Sequence, residues 1–124
     1  MVLKTRSILG AYLVFFLLCS PVFANMPTVG TITPSSGTSQ VDVPQTFTAT
    51  YSDADGWQNL WYVNLFVNTT ATSGANCFFG SYNRVVNQLF ILNDAGTAWL
   101  GGYAPGSANV IENSYAKIDC SQTT

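Results

Sequence analysis

From Thr46 to Tyr51 the chain alternates strictly, with Phe47, Ala49 and Tyr51 on one side and three threonines on the other. Successive side chains of a strand point to opposite faces, so this pattern predicts a half-buried β-strand. Pro44, just ahead of it, suits a strand start. After residue 24 no stretch keeps an apolar face at helical spacing for three turns; short apolar runs recur instead, each ended by turn residues. Asn25 to Ser39 reads as a lead-in strand, with Val29 and Ile32 its apolar beat, and a loop over Pro34-Ser35-Ser36-Gly37. Ser52-Asp53-Ala54-Asp55-Gly56 stops the alternating strand, because Asp caps backbone N–H groups and Gly accepts positive φ. Leu60 to Val67, broken only by Asn64, is dense enough to predict a strand covered on both sides and central in its sheet. Cys77-Phe78-Phe79 and Leu89-Phe90-Ile91-Leu92 are two more strands, with Gly80 to Arg84 as a hairpin region between them. Asn93-Asp94-Ala95-Gly96 is a turn with Gly96 at its left-handed position, and Thr97 to Leu100 returns. Gly101-Gly102 and Pro105-Gly106 punctuate a loop before a last strand over Val110 to Asp119. Short strands at such spacing predict an all-β, antiparallel sandwich or barrel.

The N-terminus carries an address. Lys4 and Arg6 precede the apolar run Ile8 to Leu18, and Ser20-Pro21 leads to Val22-Phe23-Ala24, small residues where a signal peptidase reads. The run is 11 residues long, short of the roughly 20 that span a bilayer. Cys19 suggests a lipid-modified junction, but Leu18 stands where that alternative wants a small residue. The expectation is a signal peptide over 1–24, cut after Ala24, a lead-in strand and loop over 25–40, and one sandwich domain over 41–124. Export, whether extracellular or periplasmic, follows. The remaining side chains are Arg84 and Lys117 against Asp42, Asp53, Asp55, Asp94, Glu112 and Asp119, a balance of −4. That charge disfavours nucleic acid and anionic membrane as partners. Cys77 and Cys120 remain as an even pair, which an oxidising compartment turns into a disulfide; two free thiols are the competing reading.

The sequence contains no histidine, which excludes Ser-His-Asp and Cys-His catalysis and imidazole-bound zinc. No Gly-rich segment runs into Lys-Ser or Lys-Thr, so a P-loop is absent. No enzyme and no cofactor are expected. Asp53 and Asp55 could donate oxygens to Ca²⁺, yet the twelve-residue calcium loop with its final Glu is missing, and turn capping is the simpler role. Two residues apart on a tight turn, they are poorly placed to flank a sugar ring for hydrolysis. Among the aromatics, Trp61 and Trp99 read as packing residues, whereas Trp57, Tyr82 and Tyr103 fall in expected loops. Those three are the candidates for stacking on a sugar, and a small carbohydrate-binding module is the alternative function. Asn68-Thr69-Thr70 fits a glycosylation acceptor.

Phe47-Thr48-Ala49-Thr50-Tyr51-Ser52-Asp53-Ala54-Asp55-Gly56-Trp57 resembles the opening signature of a family of Ig-like modules in bacterial secreted and surface proteins. Asn93-Asp94-Ala95-Gly96-Thr97-Ala98-Trp99-Leu100-Gly101, followed by Pro105-Gly106, resembles that family's second signature, and Glu112-Asn113-Ser114 its third. The three stand in order over residues 34–119. The resemblance implies an Ig-like antiparallel β-sandwich with a spacer, structural or adhesion role and no catalytic residues. In the family a second cysteine follows soon after the Asn-Ser pair, where this chain has Tyr115-Ala116; Cys120 comes four residues later. Family members also continue through further Thr/Leu-alternating strands. The resemblance therefore implies an incomplete sandwich, its C-terminal strands missing, with an open sheet edge for a protein or glycan partner.

Overall fold

A computed structural model describes residues 25–70 and 73–124; the signal segment expected over 1–24 lies outside the described residues. Among the described residues eight strands follow one another: β1 Thr28–Thr33, β2 Thr48–Ser52, β3 Tyr62–Val67, β4 Phe78–Asn83, β5 Gln88–Leu92, β6 Trp99–Tyr103, β7 Val110–Glu112 and β8 Lys117–Asp119. The described helical residues are two 3-10 turns, Trp57–Asn59 and Cys120–Gln122. All pairings are antiparallel: a β1-β2 ribbon, a β3-β4-β5-β6 meander and a β7-β8 hairpin. The all-β expectation holds.

The threonines read as the outer face of β2 do face outward, and they bind the ribbon together. Thr31 and Thr50 hydroxyls lie 3.0 Å apart, and Thr28 and Ser52 hydroxyls 2.8 Å. Ala49 and Tyr51 turn inward, and the Tyr51 hydroxyl donates to the Asn64 carbonyl of β3. The meander carries the core. On one of its faces Phe78 and Tyr82 of β4 flank Leu89 and Ile91 of β5, and the β7-β8 hairpin closes over them with Ile111, Ile118, Ala116 and Cys120. Gly101 makes room for that hairpin: a Cβ there would stand 2.6 Å from Ile111 Cδ1. A Cβ on Gly80 would instead meet Phe78 Cζ of its own strand at 2.7 Å. The opposite face carries Phe66, Phe79 and Trp99 in edge-to-face contact, each pair of ring centres 5.5 Å apart. Gly74 lies close over this stripe, its ideal Cβ only 2.9 Å from Leu92 Cδ2.

Five expectations are corrected. β3 is an edge strand, bonded to β4 alone, and Trp61 just before it is 62% exposed rather than core. Gly80-Ser81-Tyr82-Asn83 continues β4, where Gly80 leaves room for the Phe78 ring rather than for a turn, and the reversal falls over residues 84–87. Gly101 and Gly102 lie inside β6 as a bulge, the register slipping between Leu89↔Tyr103 and Phe90↔Gly101. Their φ values of 109° and 96° suit glycine alone. The single last strand over 110–119 is a hairpin, turned at Asn113 by side-chain bonds to the Tyr115 and Ala116 amides.

The expected Cys77–Cys120 disulfide is also overturned: both cysteines are buried free thiols. Cys77 offers its carbonyl to Asn113 Nδ2, whereas Cys120 donates its amide to the Asn109 carbonyl. They are thus tied to opposite ends of β7. Four residues of extended chain cover roughly 13 Å, about twice the Cα separation a disulfide tolerates. Cys77 Sγ instead points at the Gly74 carbonyl, 3.2 Å away, and Cys120 packs in the core, where burial pushes its thiol above the usual range.

Candidate functional site

Of the three aromatics expected in loops, Trp57 opens a 3-10 turn, while Tyr82 lies on β4 and Tyr103 on β6. The correction has the same cause in both strands: glycines beside each tyrosine serve packing, not a turn. The structure brings Trp57 and Tyr82 together in an open groove of about 290 Å³ between β2 and the β3-β4 edge, with Tyr51, Leu60, Val63 and Arg84 in its walls. Tyr103 is elsewhere. Leu89 pairs with Tyr82 on one side and with Tyr103 on the other, so two strand spacings separate the tyrosines, roughly 10 Å.

The groove is built from the turn upward. Gly56, at φ 114°, donates to the Asp53 carbonyl and sends the chain into the Trp57–Asn59 turn. Arg84 fixes that turn from β4's end: its Nε donates to the Leu60 carbonyl at 3.0 Å and its Nη2 to the Gln58 carbonyl. The guanidinium carbon sits 5.4 Å over the Trp57 ring, a cation–π contact of about 0.5–1 kcal/mol at an exposed site. Trp57 nevertheless keeps 62% of its surface open. Tyr82 donates its hydroxyl to Asn87 Oδ1 at 2.9 Å. Burial raises the Tyr51 hydroxyl above its ordinary value, which suits its role as a donor to Asn64. Chemically the groove offers one flat indole face, a fixed cation and a mostly apolar floor.

Asp53 and Asp55 share one turn, as read, and both carboxylates are engaged as acceptors. Asp53 Oδ1 takes the Asp55 amide at 2.8 Å. Asp55 Oδ2 takes the Asn25 backbone nitrogen at 2.5 Å, and Oδ1 takes Asn25 Nδ2 at 3.2 Å. Among the described residues no three His, Cys, Asp or Glu side chains cluster as metal ligands.

A second concavity, about 460 Å³ and open, lies where the β5-β6 and β7-β8 turns meet, lined by Asn93, Asp94, Leu100, Glu112, Asn113 and Ser114. Its polar groups bind one another. Asn113 Nδ2 donates to the carbonyls of Cys77 and Leu92 at 3.1 and 2.9 Å. Ser114 donates its amide to Asp94 Oδ1 at 2.9 Å and its hydroxyl to Oδ2 at 2.6 Å. These two bonds hold the Asp94 carboxyl below the usual carboxylate range. Asn93 Oδ1 takes the Thr97 and Ala98 amides of its own turn. Sequence reasoning singled out these residues as signatures but missed that the second and third meet in space. It also missed Arg84, although the only arginine after residue 24 was a visible signal. Comparison with protein-family models, curated proteins and solved structures finds no match.

Proposed function

We propose that this chain is an exported, non-enzymatic Ig-like sandwich module with a spacer, structural or adhesion role. One observation carries the reading: the polar residues of the second and third signatures are spent on each other and on backbone groups. Asn93, Asp94, Asn113 and Ser114 join two turns. The outer backbone edges of β3 and β6 are the natural places for a protein or glycan partner to add to the sheet. The N-terminal pattern of basic, apolar and small residues supports export.

The exposed indole of Trp57 beside Arg84 and Tyr82 favours a second reading, a shallow carbohydrate-binding groove, since sugars stack on flat aromatic faces. A glycan array probed with the wild-type protein and with Trp57→Ala separates the two. Binding to no glycan supports the spacer role. Binding that Trp57→Ala abolishes, with an unchanged melting curve, replaces the spacer role with glycan recognition.

A further inference from the structure

We propose that Asp55 is the built acceptor for the α-ammonium group created when a signal peptidase hydrolyses the Ala24–Asn25 bond. The inference rests on the export reading, and two independent observations converge on it. The first is sequence: Val22-Phe23-Ala24 ends the expected signal, which makes Asn25 the first residue of the processed chain. The second is geometry: the Asn25 main-chain nitrogen lies 2.5 Å from Asp55 Oδ2, and its side-chain amide reaches the other oxygen at 3.2 Å.

The ribbon's register delivers this contact. Thr28 pairs with Ser52 and Val29 with Tyr51. Continued outward by three residues, the same antiparallel register sets Asn25 opposite Asp55. The turn holds Asp55 there through Asp53, whose carboxylate takes the Asp55 amide and whose carbonyl takes the Gly56 amide. Hydrolysis consumes one water, which gives Ala24 a carboxylate and Asn25 an amine; at neutral pH the amine is protonated, its ordinary pKa being about 7.7–8.0. A neutral amide donor thereby becomes a cation already in contact with a carboxylate, and the hydrogen bond becomes charge-assisted. The pairing of Asp53 with Asp55, which first suggests calcium, is then a clamp for the processed chain end.

The test uses the full chain, exported from a competent bacterial host. Lys117 is the only lysine after residue 24, so a Lys117→Arg background leaves the α-amine as the only amine. Mass spectrometry of the exported protein is expected to show a chain beginning at Asn25. The α-amine is expected to acylate about threefold more slowly at pH 7 than in the added variant Asp55→Asn. Acetylating it is expected to lower the melting temperature by about 3 °C with Asp55 and to leave it unchanged with Asp55→Asn. A chain retaining residues 1–24 overturns both the export reading and the clamp. A cut elsewhere overturns the assignment of Asn25 alone. Equal acylation rates and equal melting shifts in the two proteins overturn the clamp and leave export standing.

Discussion

The side-chain amide of Asn113 donates to two carbonyls and accepts from two amides, so it uses all the bonds that matter to a partly buried carboxamide. It turns the β7-β8 hairpin and ties it to the Cys77 and Leu92 carbonyls at the same time. Removing it leaves those four backbone groups without this partner, and Asn113→Ala is expected to cost about 2–4 kcal/mol in urea unfolding. Asp94 is the second residue whose chemistry is set by a neighbour. Its folded carboxyl is held low, first by the Ser114 hydroxyl and then by the Ser114 amide. A depressed pKa contributes stability above the unfolded value, about 4, and that stability is lost as pH falls through the folded value. Ser114→Ala removes the larger of the two bonds. The urea midpoints of wild type and Ser114→Ala should therefore differ at pH 6 and draw together as the pH falls below about 4.

At the scale of elements, glycine has two meanings that a sequence does not distinguish. Gly96 and Gly106 close turns at φ 70° and 78°, as their neighbours suggest. Gly80 and Gly101 look alike in the sequence but lie within strands, where the absence of a Cβ leaves room for the Phe78 ring beside Gly80 and for Ile111 of the β7-β8 hairpin over Gly101. Gly101→Ala should lower stability by roughly 3 kcal/mol in thermal unfolding, because both the Ile111 contact and the positive φ oppose a side chain. The alternation of β2 was legible because one face meets solvent. The run into β3 was misread as central because apolar density records contact on two faces, not hydrogen bonding on two edges. β3 turns Val63 toward Tyr51 of the ribbon on one face and contributes Phe66 to the aromatic stripe on the other. The β7-β8 reversal was hidden because an asparagine side chain makes it, without Gly or Pro. In the groove, Trp57 was found because it follows an evident turn. Arg84 was missed because its carbonyl partners are set by a pairing 24 to 26 residues away.

For the whole molecule, the core is small and contains sulfur. Cys77, Leu89, Ile91, Leu92, Ile111 and Cys120 are its buried hydrophobic residues among those described. Both thiols should resist a maleimide in the native protein and should both be alkylated in denaturant without reductant, as counted by mass. A species unreactive until reduced would contradict the separation of the two cysteines along β7. The order in which this core is assembled also matters. Leu89 and Ile91 are covered by Ile111 and Cys120, and a chain is made from its N-terminal side. A chain emerging from its N-terminal side therefore has no roof for Ile91 until residue 120 is free, and the apolar face of β4 and β5 stays uncovered while residues 92–120 follow.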